Sequence, residues 1–250
     1  MALQTKLRFN RYEFKYVLNP NLRREIEREL NFFMELDPYV AGNPQRRYFV
    51  RSLYYDNPMY THYFDKIDGQ LTRTKFRLRT YTDNREEGCS AFLEIKGRQN
   101  NIVFKHRSPL VADHGANPVI SLSEPITETI LRFTREGEVL ERFRFDIVRR
   151  AIVPVMLIDY WRRPYVSKLD PEFRVTFDER LNGRRTDSLF PGPSVPWRSL
   201  MLGRTIMEVK FRFHVPSWFH RILQSYELAR VSVSKICKGI EAFELAPALE

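Results

Sequence analysis

Arg73, Lys75, Arg77 and Arg79 alternate through the stretch RTKFRLRTY, which runs from Arg73 to Tyr81. Side chains alternate across an extended strand, so the four cations share one face while Phe76 and Leu78 occupy the other. A planar guanidinium binds phosphate oxygens in pairs and stays charged at any physiological pH. Arg77 and Arg79 point into one space about 7 Å long, the span of neighbouring phosphates in a chain. Four like charges in a row are stable only where something neutralises or wets them. The chemistry this stretch suits is the gripping of a polyanion.

Five more stretches repeat the pattern. Arg11, Glu13 and Lys15 oppose Tyr12, Phe14 and Tyr16; Glu94 and Lys96 oppose Leu93 and Ile95; Lys105 and Arg107 oppose Phe104. Arg174, Thr176, Asp178 and Arg180 oppose Phe173, Val175 and Phe177, and Glu208, Lys210 and Arg212 oppose Met207, Val209, Phe211 and Phe213. A solvated antiparallel sheet produces the same alternation, so the pattern alone leaves two readings open. Three features favour ionic faces turned inward. Charge fills almost every position on these faces. The predicted helices carry apolar stripes that can cover the apolar faces from outside. A barrel of about eight strands can hold one small ligand.

Lys15, Lys96, Lys105, Arg107, Arg174 and Lys235 extend the basic lining beyond Arg77 and Arg79. Hard divalent cations take oxygen ligands, and Mg²⁺ takes one or two carboxylates with phosphate oxygens. Glu208 is the first candidate ligand, with Glu13, Glu94 and Asp178 as helpers on lining faces. For Glu13 and Glu94 a cross-strand ion pair serves equally well. A net charge of +10 and a pI near 9.7 point to an anionic partner, whether nucleic acid, a membrane surface or phosphorylated small molecules. Nucleic acid does not suit these faces, because their carboxylates repel a phosphate backbone unless a metal intervenes. The sequence has no phosphate-binding G-x-x-x-x-G-K-[ST] loop, no G-x-S-x-G elbow, and no zinc spacing among its five histidines.

The elements that must position these residues are mostly strands. LRFNRYEFKYVL opens the chain as a strand, and Leu22, Ile26, Leu30 and Phe33 recur at helical spacing over a helix from Pro20 to Leu36. RRYFVRSLYYD is a second strand and NPMYTHYFDKIDG a short helix ended by Gly69. Strands TRTKFRLRTY, AFLEIKG and NIVFKHRS follow, then a helical region from Pro125 to Arg150. VPVMLIDYWRRPYV, EFRVTFDERL and RTIMEVKFRF are strands again, and Pro216 opens a short helix. The fold class is α+β: an antiparallel β-barrel of about eight strands with helices packed on the outside, in one domain spanning 1–250. Cys89 and Cys237 make no disulfide framework. The longest apolar run, AIVPVMLI, is too short to span a bilayer and contains Pro154. With no leader-like segment at the start, the chain reads as soluble and cytoplasmic.

The stretches RYEFKYVL, RSLYYDNPMYTHYFDKIDG, TKFRLRTY, FLEIKGR, RVTFDERL, IMEVKFR and SVSKICKG occur in that order from Arg11 to about Gly239. Together they resemble the catalytic domain of the vacuolar transporter chaperone proteins, the polyphosphate polymerase branch of the triphosphate tunnel metalloenzymes. The resemblance implies an antiparallel tunnel lined by Arg, Lys and Glu, a Mn²⁺ or Mg²⁺ ion held by carboxylate and triphosphate, and ATP-dependent synthesis of polyphosphate. It makes Glu208 the metal-binding glutamate. It makes Arg77, Arg79, Lys96, Glu208 and Lys235 the catalytic set, with Arg11, Lys15, Lys75, Lys105, Arg107, Arg174 and Lys210 around it as phosphate-binding residues. ATP and polyphosphate are the expected partners, with no nucleic acid and no membrane span; the number of copies is left open. Two other readings fit the same lining: a triphosphatase of the same fold, in which a carboxylate orients water, and a non-catalytic module that binds polyphosphate or inositol phosphates.

Overall fold

Asn19 closes the first strand and opens the first helix. Its side chain accepts from the amide of Leu22 at 2.9 Å, and Pro20 takes the first helical turn, where a missing N–H costs nothing. The computed structural model describes residues 12–83, 90–100, 102–111 and 126–246. Arg11, Cys89 and most of the loop over 109–119 lie outside the described residues.

Strand β1 (Tyr12–Leu18) leads to helix α1 (Pro20–Phe33), short strand β2 (Met34–Leu36), one-turn helix α2 (Pro38–Ala41) and strand β3 (Tyr48–Asp56). Helix α3 (Thr61–Ile67) precedes a meander of β4 (Thr72–Thr80), β5 (Phe92–Gln99) and β6 (Ile102–Pro109). Helices α4 (Ile126–Phe133) and α5 (Glu138–Arg150) follow, then long strands β7 (Val153–Ser167) and β8 (Arg174–Arg184), and the two-residue β9 (Arg198–Ser199). Strand β10 (Thr205–Phe211) and helices α6 (Ser217–Ser225) and α7 (Lys235–Ala242) complete the order. Periodicity predicts α1 as far as Leu36, but the helix stops at Phe33. Met34 turns extended, and Met34 to Leu36 pair with β7. Lys168 donates to the last carbonyls of α1, Asn31 at 2.9 Å and Phe32 at 3.3 Å, a placement the helix dipole favours.

The strands pair antiparallel in the order β1-β10-β8-β7-β3-β4-β5-β6, with β2 on β7 and β9 on β8. The path ends at β1 and β6, so among the described residues backbone pairing does not close the barrel. A side-chain pair reaches across the gap: Lys96 of β5, one strand in from β6, donates to both carboxylate oxygens of Glu13 on β1, each at 3.1 Å. The connection between α6 and α7 crosses the free edge of β1, where the amide of Val231 donates to the carbonyl of Lys15 at 2.8 Å.

Apolar faces are covered from outside in two places. Leu53, Phe76, Leu93 and Ile95 pack with Ile130 of α4 and Phe143 of α5. Tyr16, Phe177, Met207 and Val209 pack with Ile26 and Leu30 of α1 and Phe219 of α6. Helix α7 adds something that alternation does not predict. Its Ile236, Cys237 and Ile240 pack on Val50, Met156, Ile158 and Tyr160, which share their strand faces with ionic positions further along. It therefore fills part of the concave side. Gly239 lets it lie close, since a Cβ there would stand 2.9 Å from Cγ of Met156.

Alternation also breaks at Arg180. This residue has φ 52, and the pairing of β7 with β8 shifts register between Asp159 and Trp161. Such a bulge reverses which residues face in. Glu179 stays outside and pairs with Arg23 at 2.6 Å and Arg47 at 3.4 Å. Leu181 turns in to join the cluster under α7. Arg180, expected on the ionic face, is exposed instead. Among the described residues, no helix is long and apolar enough to cross a membrane.

Candidate active site

The ionic face of β4 looks into a cavity of about 650 Å³. Arg79 is 5% exposed and Glu94, on the neighbouring β5, is 0% exposed. Pairing makes this burial tolerable. Arg77 donates from Nε to Glu94 at 2.7 Å, and its Nη2 lies 2.7 Å from the same oxygen. Lys105 of β6 reaches the other oxygen of Glu94 at 2.6 Å. Arg77 Nη1 donates to the hydroxyl of Tyr54 at 3.0 Å, and Arg79 donates to Ser52 and to the hydroxyl of Tyr160, each at 3.1 Å. Burial opposes every charge here. Arg77 and Arg79 outweigh it and hold the Glu94 carboxyl far below the usual range, and Glu94 in turn raises Arg77 above its ordinary value. Lys105 moves the other way: burial and the two arginines push it down to about 7 against the pull of Glu94.

A second ionic group faces the first from β7, β8 and β10. Arg162 binds Asp178 through two bonds of 2.6 and 2.7 Å and Glu208 at 3.1 Å. Lys235, at the start of α7, reaches Asp178 at 2.6 Å and Glu208 at 2.7 Å. Lys210 and Lys15 stand 3.6 and 3.8 Å from Glu208. Burial works against the Glu208 anion, but Lys235, Arg162 and Lys15 hold its carboxyl well below the ordinary range. Lys235 is raised against burial by Asp178 and Glu208.

Glu13 and Lys15 of β1 complete the wall, with Glu13 paired to Lys96 at 3.1 Å and Lys15 at 3.3 Å. Lys75 points toward Ser234 and Cys237, each 3.4 Å from its Nζ. The fold thus brings Glu13, Lys15, Lys75, Arg77, Arg79, Lys96, Lys105, Glu208, Lys210 and Lys235 to one cavity, with Glu94 and Asp178 bound to its cations. Two expected residues stand apart. Arg107 lies over the ring of Phe92 at 4.8 Å and does not line the cavity. Arg174 lines a smaller cavity of about 160 Å³ and faces Asp37 at 3.7 Å. Arg162 and Lys210 belong to the walls of both cavities.

Sequence reasoning missed Arg162, Tyr160, Tyr54 and Arg230, all of which line the larger cavity. The tunnel face of β7 begins apolar at Met156 and Ile158, because α7 packs there, and turns polar only at Tyr160 and Arg162. A test for ionic faces therefore passes over this strand. Even parity from Met156 to Arg162 was the available signal.

The carboxylates fit a metal in a restricted way. Among the described residues no group of three His, Cys, Asp or Glu could cage an ion. Every one of these carboxylates is already paired: Glu94 with three cations, Glu13 with two, Asp178 with two and Glu208 with four. Glu208 and Asp178 are bound by the same Lys235 and Arg162, which places two hard oxygen donors side by side. A pair of that kind suits Mg²⁺ or Mn²⁺ when phosphate oxygens supply the remaining ligands.

A family model described as the VTC domain matches residues 10–244. No curated protein matches the chain significantly. Among solved structures, a "putative adenylate cyclase" from Bacillus halodurans superposes with a TM-score of 0.51 at 12% identity, covering 94% of this chain and 99% of that one. The PH1819 protein from Pyrococcus horikoshii OT3 gives 0.44 at 12% identity over the same shares. At 12% identity the Bacillus likeness speaks to the fold alone, and it agrees with the antiparallel tunnel.

Proposed function

We propose, from the premise that this chain belongs to the VTC domain family, that it transfers the γ-phosphate of ATP to a growing polyphosphate chain. One observation carries the reading. Among the described residues thirteen lysines and arginines line the larger cavity, against four carboxylates bound to them, and the basic lining continues through Arg162 and Lys210 into the smaller cavity toward Arg174. A surplus on that scale suits two polyanions held end to end rather than one triphosphate.

Phosphoryl transfer needs alignment and charge neutralisation more than covalent help. Arg77 and Arg79 grip the nucleotide phosphates. Lys96, Lys105 and Lys235 offset the repulsion between donor and acceptor. The acceptor oxygen is already ionised, so no strong base is required. A Mn²⁺ or Mg²⁺ ion on Glu208 and Asp178 supplies further neutralisation when bound with the substrate.

The test is incubation of the pure protein with ATP and Mn²⁺ or Mg²⁺, with gel and nucleotide analysis of the products. Ladders of polyphosphate with ADP are expected. Orthophosphate without chains would make the protein a triphosphatase. Salt-sensitive binding of ATP without any product would make it a binding module.

A further inference from the structure

Two arginine–tyrosine couples line the cavity. Arg77 Nη1 donates to the Tyr54 hydroxyl at 3.0 Å, and Arg79 Nη2 donates to the Tyr160 hydroxyl at 3.1 Å. A guanidinium can only donate, so each phenol accepts from its arginine and keeps its own proton to give. Tyr54 lines the cavity, is 6% exposed, and carries the Arg77 guanidinium 5.7 Å from its ring centre. An anion gripped by Arg77 therefore comes within reach of the Tyr54 hydroxyl.

We propose that Tyr54 binds substrate by donating its hydroxyl proton to the phosphate that Arg77 grips, and that loss of this proton weakens anion binding in alkali. The proton is poised for that role. Burial alone would raise the phenol, but the charges of Arg77, Arg79 and Lys235, with the hydrogen bond from Arg77, bring it down to about 8. The groups that face Tyr54 are Arg77 and Arg79 of β4 and Lys235 of α7, with Glu94 of β5 behind Arg77 and Tyr160 of β7 behind Arg79. Below this pH the phenol donates to a phosphate oxygen. Above it a phenolate stands beside that oxygen, and the two repel. The inference rests on the reading of the cavity as a phosphate-chain site and adds a residue to it.

Inorganic tripolyphosphate is the probe, titrated calorimetrically into the whole chain from pH 6 to about 9.5. Lys105 also titrates in this range, so the comparison is made in a Lys105→Arg background, with and without Tyr54→Phe. The ratio of the two dissociation constants at each pH cancels the titration of the ligand itself. The expected ratio is about tenfold at pH 7, the loss of one hydrogen bond to a charged group, falling to one or below by pH 9.5. A ratio that stays constant with pH would mean that Tyr54 only props Arg77, and would overturn the inference. Absence of tripolyphosphate binding by the wild-type protein at every pH would overturn the phosphate-site reading itself. A second measurement needs no variant. Phenolate absorbance of the wild-type protein should show one phenol ionising near pH 8 that saturating tripolyphosphate moves upward, and no phenol ionising below about pH 9 would also refute the assignment.

Discussion

Lys235 and Arg162 hold the same two carboxylates. Lys235 reaches Asp178 and Glu208 at 2.6 and 2.7 Å, and Arg162 reaches them at 2.6 and 3.1 Å. Lys235 is the first residue of α7, where the helix dipole disfavours a cation. The carboxylate pair compensates for that position and ties α7 to β7, β8 and β10.

Glu208→Gln should abolish product formation while leaving the fold and much of the anion binding intact. Asp178 still pairs with Arg162 and Lys235 in the variant, and the cations that grip phosphate are unchanged. A loss of about 100-fold or more in chain synthesis is expected, in the range seen when one charge-stabilising group is removed from a site. Circular dichroism and tripolyphosphate affinity should change little. Turnover at the wild-type rate would remove Glu208 from the mechanism.

Arg77→Ala should weaken ATP binding by roughly 10- to 100-fold, the equivalent of about 1.5–3 kcal/mol for hydrogen bonds to a charged group. Calorimetry of ATP binding checks this. Unchanged affinity would show that substrate phosphates sit elsewhere in the cavity.

Acid should destabilise the protein through its buried carboxylates. Cations hold Glu13, Glu94 and Glu208 below the ordinary range despite burial. Their folded pKa values lie under the unfolded value of about 4.3. Their contribution is therefore complete above that pH and is lost as pH falls below it. Glu94→Gln leaves Arg77, Arg79 and Lys105 without their shared anion and should cost about 3–5 kcal/mol at pH 7. Thermal melts between pH 3 and 7 should show a falling Tm in the wild-type protein and a shallower slope in the variant. Equal slopes would contradict this account.

Polyanions should stabilise the folded chain, because they satisfy the surplus of cations. Tripolyphosphate at about 100 times its dissociation constant adds roughly 2.7 kcal/mol by mass action. The shift in Tm should shrink as salt is added, whereas a neutral sugar of similar size should give none.

Gly97→Ala should disrupt the β5–β6 hairpin. A Cβ at Gly97 would collide with the ring of Phe104, its cross-strand partner. Overpacking of this kind costs about 1–3 kcal/mol. Adding Phe104→Leu should restore most of the loss, and denaturant unfolding of the single and double variants measures both steps.

The sheet and its inward ionic face were legible because period-two alternation marks each strand separately. RTKFRLRTY, FLEIKG and IMEVKF each show both faces without any knowledge of their neighbours. Arg162 was hidden for the opposite reason: its strand faces α7 for half its length, and only the tertiary position of α7 explains the change from Met156 to Arg162. The exposure of Arg180 depends on a single left-handed residue, which no pattern of hydrophobicity records. Arg107 obeys the alternation, yet its side chain lies over Phe92 outside the cavity lining, a choice made by local packing. Whether Glu13 and Glu94 pair with cations could not be read from either stretch alone, since Lys96 and Lys105 approach from other strands.

The Glu13–Lys96 bridge spans from β1, one margin of the sheet, to β5, one strand in from the other, where no backbone ladder among the described residues makes the join. A guest anion that draws Lys96 to itself would undo this one tie. None of the backbone ladders between neighbouring strands runs through it.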